Sequence, residues 1–223
     1  MISCKKFYDC LLDNEINFFT GVPDSLLKDF CAYVTDNTES KRNIIAANEG
    51  NAIAIASGYH LATGKYGLVY MQNSGLGNTI NPLTSLADKE VYSIPMLLLI
   101  GWRAEPGVKD EPQHIKMGKV TLGLLETIGV KYQILNDNFE EIIKKAKIHM
   151  EKERASFAIV ARKGTFEEYK LKNKKETNYE LNREEAIKAI VPLLDEEDII
   201  ISTTGMTSRE LFELREANKQ GHE

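Results

Sequence analysis

The sequence has no long hydrophobic run, and its longest apolar stretch, Ile94–Trp102, contains a proline. A helix that spans a bilayer needs about 18 or more consecutive apolar residues, so the sequence predicts no transmembrane helix. The amino-terminal segment MISCKKFYDCLLDNE lacks the long apolar core and the small-residue cleavage site of a secretion signal. We therefore expect a cytoplasmic protein.

Basic residues are too few for a general polyanion binder. The chain has 28 lysines and arginines against 33 acidic residues, a net charge of -5. Nucleic acids and anionic membrane surfaces are bound by basic faces, so we expect neither as a partner. The three cysteines, Cys4, Cys10 and Cys31, form no CxxC pair and have no histidine at ligand spacing, which predicts reduced thiols and no metal site in this chain.

Short β-branched or aromatic segments alternate with helical patterns, which predicts an α/β fold with a six-stranded parallel sheet and helices on both faces. The predicted strands are Asn17–Thr20, Asn43–Ala47, Tyr66–Met71, Ile94–Ile100, Lys131–Leu135 and Ser156–Ala161. One helix precedes them, and the others are predicted at Ser25–Thr35, Glu49–Thr63, Gly77–Ala87, Lys119–Ile128 and Asp137–Glu153. Gly64 and Gly129 stand where a left-handed helix cap is favoured, and Asp137 with Glu140 fits a capping box.

The composition changes after the last predicted strand, and three parts are expected: an α/β domain at 1–164, a polar linker at 165–181 and an incomplete second α/β domain at 182–223. In the last part, Asn182 with Glu185 predicts a helix start and Asp198–Ser202 predicts a strand. Two helices and one strand are too few to bury a core, so we expect this domain to be cut short.

Small polar loops follow the first three predicted strands. They are GVPDSLL (Gly21–Leu27), the helix start at Glu49, and MQNSGLGN (Met71–Asn78). Because the carboxyl ends of parallel strands share one edge of a sheet, these segments predict a ligand site there. Small residues around Glu49 leave room for a flat ligand. The alternative is that this glutamate only stabilises the helix start through the helix dipole.

The glycine-rich loop Ser74–Asn78 is not a nucleotide cradle. It has neither the GxGxxG pattern of dinucleotide-binding loops nor the following Gly-Lys-Ser/Thr of P-loops. A plain tight turn stays open as its interpretation.

Four segments together resemble the pyrimidine-binding domain of the thiamine-diphosphate-dependent 2-oxo-acid decarboxylases: GVPDSLL, AANEGNAIAIASGYHLATGK, YMQNSGLGN and GWRAEPGVKDEPQH. The last is similar only to the narrower group of phosphonopyruvate decarboxylases, in which Ala104 is usually glycine. The resemblance covers nearly the whole chain. It implies the pyrimidine-domain fold and decarboxylation of 3-phosphonopyruvate to phosphonoacetaldehyde, a reaction of organophosphonate biosynthesis.

The resemblance also implies roles for individual residues. The carboxyl group of Glu49 would bond to N1′ of the cofactor's aminopyrimidine and so promote loss of the thiazolium C2 proton. The implied cofactor-binding residues are Gly21, Val22, Pro23, Glu49, Gln72, Ser74, Gly75 and Asn78.

The stretch Gly101–Val120 is longer than most connections and rich in cations, which favours an anion-binding loop, although a solvated loop stays open. Its cationic or titratable residues are Arg103, Lys109, His114, Lys116 and Lys119. The implied catalytic residues are Glu49, Asp24 and His114, and the implied substrate-binding residues are Asp24, Ser25, Arg103, Lys109 and His114. Asp24 is either a proton donor or a helix N-cap, and His114 stands alone where pyruvate decarboxylase has two adjacent histidines.

The family's magnesium and diphosphate signature, Gly-Asp-Gly followed by Asn, occurs nowhere in the chain. It belongs to the second domain, so we expect the full-length enzyme to use Mg2+, to be at least a homodimer, and to be inactive as this chain alone. Two alternatives stay open: the alpha subunit of a sulfopyruvate decarboxylase, and a non-catalytic α/β binding or assembly module.

Overall fold

The computed structural model describes residues 1–173, 178–195, 197–203 and 205–220. The chain forms two compact units, Met1–Asn173 and Lys174–Glu223. This boundary falls inside the predicted linker, whose residues 174–177 lie outside the described residues. Over the described part of the chain, every helix is too short or too polar to cross a bilayer.

The first unit is built on one six-stranded sheet in which every neighbouring pair of strands is parallel, in the order β2-β1-β3-β4-β6-β5. The strands are β1 (Ile16–Gly21), β2 (Asn43–Ile45), β3 (Tyr66–Gln72), β4 (Leu97–Gly101), β5 (Lys131–Ile134) and β6 (Phe157–Ala161). The predicted parallel sheet is confirmed, with strand ends displaced by up to three residues.

Helices cover both faces of this sheet. Successive side chains of a strand point to opposite faces, so Leu97 and Leu99 of β4 pack on one side while Leu98 and Ile100 pack on the other. The first side is covered by α1 (Cys4–Asp13), α2 (Lys28–Asn37) and α6 (Phe139–Glu153), and the second by α3 (Glu49–Thr63), α4 (Leu76–Pro82) and α5 (Pro112–Thr127). The two apolar layers explain why the central strands are continuous hydrophobic runs.

Several helix starts differ from the sequence prediction, by three residues at α2, one at α4, seven at α5 and two at α6. Helix α5 begins at Pro112, seven residues before the predicted start, because proline suits the first helical position, where no amide hydrogen is needed. The capping box at Asp137 is wrong, since α6 begins at Phe139 after Asn138 and has no side-chain cap. The left-handed conformations of Gly64 and Gly129 are as predicted.

Residues 165–173 pack along the first unit. Phe166 is buried and joins the aromatic cluster around Phe7 and Phe30. The carboxylate of Asp36 on α2 accepts hydrogen bonds from the Tyr169 hydroxyl and from the backbone N–H groups of residues 172 and 173, at 2.8–3.0 Å. The first half of the predicted linker is therefore attached to the sheet domain.

The second unit contains α7 (Arg183–Ile190) and α8 (Met206–Ala217) among its described residues. The predicted capping box is present, with Asn182 and Glu185 bonded reciprocally. The predicted strand at Asp198–Ser202 is wrong, because a strand needs a neighbour to pair with and the described residues of this unit contain none.

Candidate active site

The carboxyl ends of four adjacent strands, β2, β1, β3 and β4, carry the predicted site residues. Val22 continues β1 and donates its N–H to the carbonyl of Tyr70 on β3, and Ala46 donates to the carbonyl of Gly21. Gly21 has a φ of +155°, and a Cβ at this position would overlap the backbone of Tyr70. A glycine is therefore required where β1 turns into its polar loop.

Glu49 begins α3, which Asn48 caps by accepting the N–H of Asn51 at 2.9 Å. The Glu49 side chain reaches the loop after β3, where its Oε2 accepts a hydrogen bond of 2.7 Å from Nδ2 of Asn78. The residue is half-buried. The amide fixes one carboxylate oxygen, so the structure joins the predicted glutamate to the end of the predicted glycine-rich loop.

Gly75 makes this approach possible. A Cβ at position 75 would lie 2.5 Å from both Cγ and Cδ of Glu49, closer than real contacts allow. Ser74, next to it, is exposed, while Gln72 at the end of β3 is half-buried and its Oε1 has no hydrogen-bond partner among the described residues. The loop therefore combines a held carboxylate with a buried acceptor that lacks a donor. These two hydrogen-bond acceptors fit a flat heterocycle that carries amino and ring N–H groups.

Asp24 forms the second part of the site. Its side chain is 6% exposed, and its Oδ2 accepts the N–H of Leu26 at 3.0 Å. Helix α2 begins only at Lys28, so the alternative of a helix N-cap is wrong. Burial raises the pKa of the Asp24 carboxyl above its ordinary value, although the nearby Arg103 opposes this shift. Gly101 at the end of β4 leaves room for this carboxylate.

Arg103 follows β4 and points its guanidinium at two partners. Its Nε and Nη2 donate to both carboxylate oxygens of Asp110, and its Nη1 donates to the Ser25 hydroxyl at 2.9 Å. The same pairing raises the pKa of Arg103 and holds the pKa of Asp110 well below its usual range. Arg103, Ser25 and Asp24 thus lie next to one another.

The remaining predicted anion-binding residues do not lie on one loop. Because α5 starts at Pro112, His114 lies half-buried in its first turn, and Lys116 and Lys119 are exposed on the same helix. Lys109 is exposed on the loop before it. The interpretation of Gly101–Val120 as a single loop is wrong beyond residue 111.

Two polar residues that hold the Arg103 loop were not singled out from the sequence. Asn73 is buried, donates to the Arg103 carbonyl and to Thr121, and accepts the Arg103 N–H at 3.1 Å. Asp110 also accepts the N–H of Ala104 at 2.9 Å. Ala104 has a φ of +51°, which glycine adopts more easily. Asp110 was recognisable as an acid within a cation-rich stretch, but Asn73 carried no signal.

Comparisons with known proteins agree with this geometry. Residues 5–130 match the family described as thiamine pyrophosphate enzyme, N-terminal TPP binding domain. Phosphonopyruvate decarboxylase of Streptomyces viridochromogenes is 39% identical over 122 residues, which cover 55% of this chain and 30% of that protein. Sulfopyruvate decarboxylase subunit alpha of Methanococcus maripaludis is 37% identical over 132 residues, 59% of this chain and 76% of that subunit. The chain thus spans about a third of the phosphonopyruvate decarboxylases it matches.

Solved structures show the same fold. A thiamine diphosphate-dependent 4-hydroxybenzoylformate decarboxylase from Rhodococcus jostii superposes with a TM-score of 0.55 at 18% identity, covering 84% of this chain and 37% of that one. The family resemblance predicted from the strand-end motifs is confirmed. The chain belongs to the thiamine pyrophosphate enzymes, as a form of their N-terminal TPP-binding domain.

Proposed function

We propose that this chain is the cofactor-activating half of a decarboxylase that converts 3-phosphonopyruvate to phosphonoacetaldehyde and carbon dioxide. One observation carries the proposal: the Glu49 carboxylate stands at the carboxyl edge of the sheet, held by Asn78 and packed against a glycine that leaves it room. The phosphonopyruvate decarboxylases that match at 38–39% identity support the substrate.

Glu49 would exchange a proton with a ring nitrogen of the bound pyrimidine. Bound thiamine diphosphate supplies the electron sink for loss of carbon dioxide. Asn78 keeps the carboxylate in one orientation at the start of α3. The buried Oε1 of Gln72 and the loop residues Gly21, Val22, Pro23 and Ser74 would complete the cofactor contacts.

Asp24 would return a proton to the reacting carbon. A carboxyl group serves as a general acid near neutral pH when burial raises its pKa, which is the direction of the shift at Asp24. Arg103 and Ser25, which lie next to it, would bind the anionic tail of the substrate, with Lys109 and His114 approaching from the loop and from α5. The reacting carbon would then lie between the Glu49 and Asp24 parts of the site.

The rest of the catalytic apparatus would come from outside these residues. A Mg2+ ion and the diphosphate-binding domain would complete the cofactor site, in at least a homodimer, and the chain by itself would be inactive. Residues 182–223 would be the start of that domain.

A sulfonate tail is the second candidate. The alpha subunit of sulfopyruvate decarboxylase is matched over 76% of its length at 37% identity, so the relatives favour neither acid decisively. Phosphonate and sulfonate are both tetrahedral anions, and the Arg103 guanidinium suits either one.

The test is a turnover assay of the complete protein, with any separate partner chain supplied. We expect carbon dioxide release from 3-phosphonopyruvate that depends on added thiamine diphosphate and Mg2+. Preferred turnover of sulfopyruvate would make the sulfonate the substrate. Absence of turnover with both acids, in a folded protein saturated with cofactor, would contradict the proposal and favour a non-catalytic module.

A further inference from the structure

The ion pair between Arg103 and Asp110 leaves part of the arginine available. A guanidinium has five N–H donors, and Asp110 and Ser25 take three of them. One N–H on Nη1 and one on Nη2 donate to no protein acceptor among the described residues. Two N–H groups on one rigid plane are a fork that suits two oxygens of a tetrahedral anion.

Asp110 is unusually well connected for a loop residue. Its carboxylate accepts hydrogen bonds from the Arg103 side chain and from the backbone N–H groups of Ala104 and Glu111, at 2.8–2.9 Å for the latter two. The side chains of Arg103 and Asp110 are only 19% and 11% exposed. A buried bidentate pair of this kind restricts the arginine far more than a surface ion pair would.

We propose that Asp110 is a positioning residue that holds Arg103 beside Asp24 and Ser25, with its two remaining N–H groups directed to the anionic tail of the substrate. This inference rests on the proposed function. Because Asp110 balances the positive charge of Arg103, this arginine would act on the tail mainly through directed hydrogen bonds.

Positioning by Asp110 and simple charge attraction predict opposite effects of one substitution on anion affinity. Asp110→Asn removes a negative charge beside the tail site, so long-range attraction alone would strengthen anion binding. If Asp110 instead orients Arg103, the same substitution releases the guanidinium and weakens binding. Loss of well-formed hydrogen bonds to a charged group corresponds to an affinity change of roughly 10- to 100-fold.

The experiment uses the complete enzyme and phosphonoacetate, a tail analogue without the 2-oxo group, titrated by calorimetry alongside turnover of 3-phosphonopyruvate and of pyruvate. For Asp110→Asn we expect weaker phosphonoacetate binding and a higher KM for 3-phosphonopyruvate, with kcat and pyruvate turnover nearly unchanged. Glu105→Gln is the matched control. Glu105 lies on the same loop as Asp110, but its ion pair is with Arg162, outside that loop. It should change none of these values.

A double-mutant cycle tests whether Asp110 acts through Arg103. Asp110→Asn in an Arg103→Ala background should cause no further loss of affinity. If Asp110→Asn does not fold, Ser25→Ala takes its place: it should weaken phosphonoacetate binding roughly 3- to 10-fold, and only while Arg103 is present.

Equal or tighter phosphonoacetate binding by folded Asp110→Asn would overturn the inference while leaving the proposed function intact. Equal binding by Ser25→Ala, if that variant is needed, would do the same. A wild-type enzyme that neither binds phosphonoacetate nor decarboxylates 3-phosphonopyruvate would overturn both.

Discussion

Gly75 gives the most local test of the site, because the space that its missing side chain leaves is filled by Glu49. In Gly75→Ala, the new methyl group would push the flexible end of Glu49 away and break its bond to Asn78, while the backbone can stay in place. We expect decarboxylation to fall at least about 10-fold, on the scale of one misplaced catalytic group, with little change in melting temperature.

Gly77→Ala is the control, because a Cβ at this helical position meets nothing within 4 Å. It should keep full activity and raise helix stability slightly. Equal losses of activity in the two variants would mean that the loop as a whole, rather than the position of Glu49, is sensitive to substitution.

The burial of Asp24 predicts that the free energy of unfolding depends on pH. Burial raises the pKa of its carboxyl above 3.8, so the folded state binds this proton more tightly than the unfolded chain does. Ionisation therefore destabilises the fold as the pH rises through the raised pKa. Asp24→Asn, which can still accept the Leu26 N–H through its amide oxygen, should be more stable than wild type at pH 7, with a smaller difference near pH 4.

Urea denaturation of both proteins at several pH values measures this difference. If the difference in free energy of unfolding between the two proteins stays constant from pH 4 to pH 7, burial does not raise the pKa of Asp24. The same variant should lose activity, since the N–H groups of an amide are far too weakly acidic to protonate a reacting carbon.

At the scale of elements, the sequence indicated the sheet and the covering helices correctly because both depend on local patterns. Continuous apolar runs identify strands buried on two faces, and Gly64 marks a helix end. The start of α5 was missed although Pro112 signalled it, since the charged residues around it favoured a loop. The strand predicted at Asp198–Ser202 failed because pairing partners, not the segment itself, decide whether a strand forms.

The site was predictable only in part for a related reason. Glu49 and Asn78 were identified through motifs on neighbouring strand ends. Their hydrogen bond, however, depends on the absence of a side chain at Gly75, which leaves space for Glu49. Asn73 contacts Arg103 across 30 residues of sequence, and Asp110 contacts it across a seven-residue turn of one loop. Such pairings leave no periodic pattern in a single sequence.

Residues 165–173 give a prediction for a whole segment. Asp36 accepts three hydrogen bonds from this segment. The bond from the backbone N–H of Lys172 is the main reason that the pKa of Asp36 is lowered. Asp36→Ala should therefore speed amide hydrogen exchange at Lys172 and Asn173. In the wild type, the same exchange should quicken as the pH falls through the lowered pKa, after correction for intrinsic rates.

The exposed residue Asp13 on α1 provides a control, and Asp13→Ala should leave these amides protected. Unchanged protection in Asp36→Ala would mean that Phe166 and its aromatic neighbours hold the segment by themselves.

At the scale of the molecule, the two units differ in how well they bury their apolar residues. The first has apolar layers on both faces of its sheet. In the second, the apolar side chains of Ile199 and Ile201 are 88% and 92% exposed. These exposures agree with the proposal that further structure would complete the second unit as a diphosphate-binding domain.

The central claim is that Glu49 activates the cofactor, and exchange of the thiazolium C2 proton measures this step directly, without any substrate. The exchange rate of thiamine diphosphate bound to the complete enzyme can be followed by quenched-flow NMR, with Glu39→Gln, a substitution of an exposed carboxylate, as the control. We predict that Glu49→Gln folds and binds cofactor but slows the exchange by roughly 100-fold or more, as expected for loss of a general acid–base group. Exchange as fast as in the wild type would contradict the account.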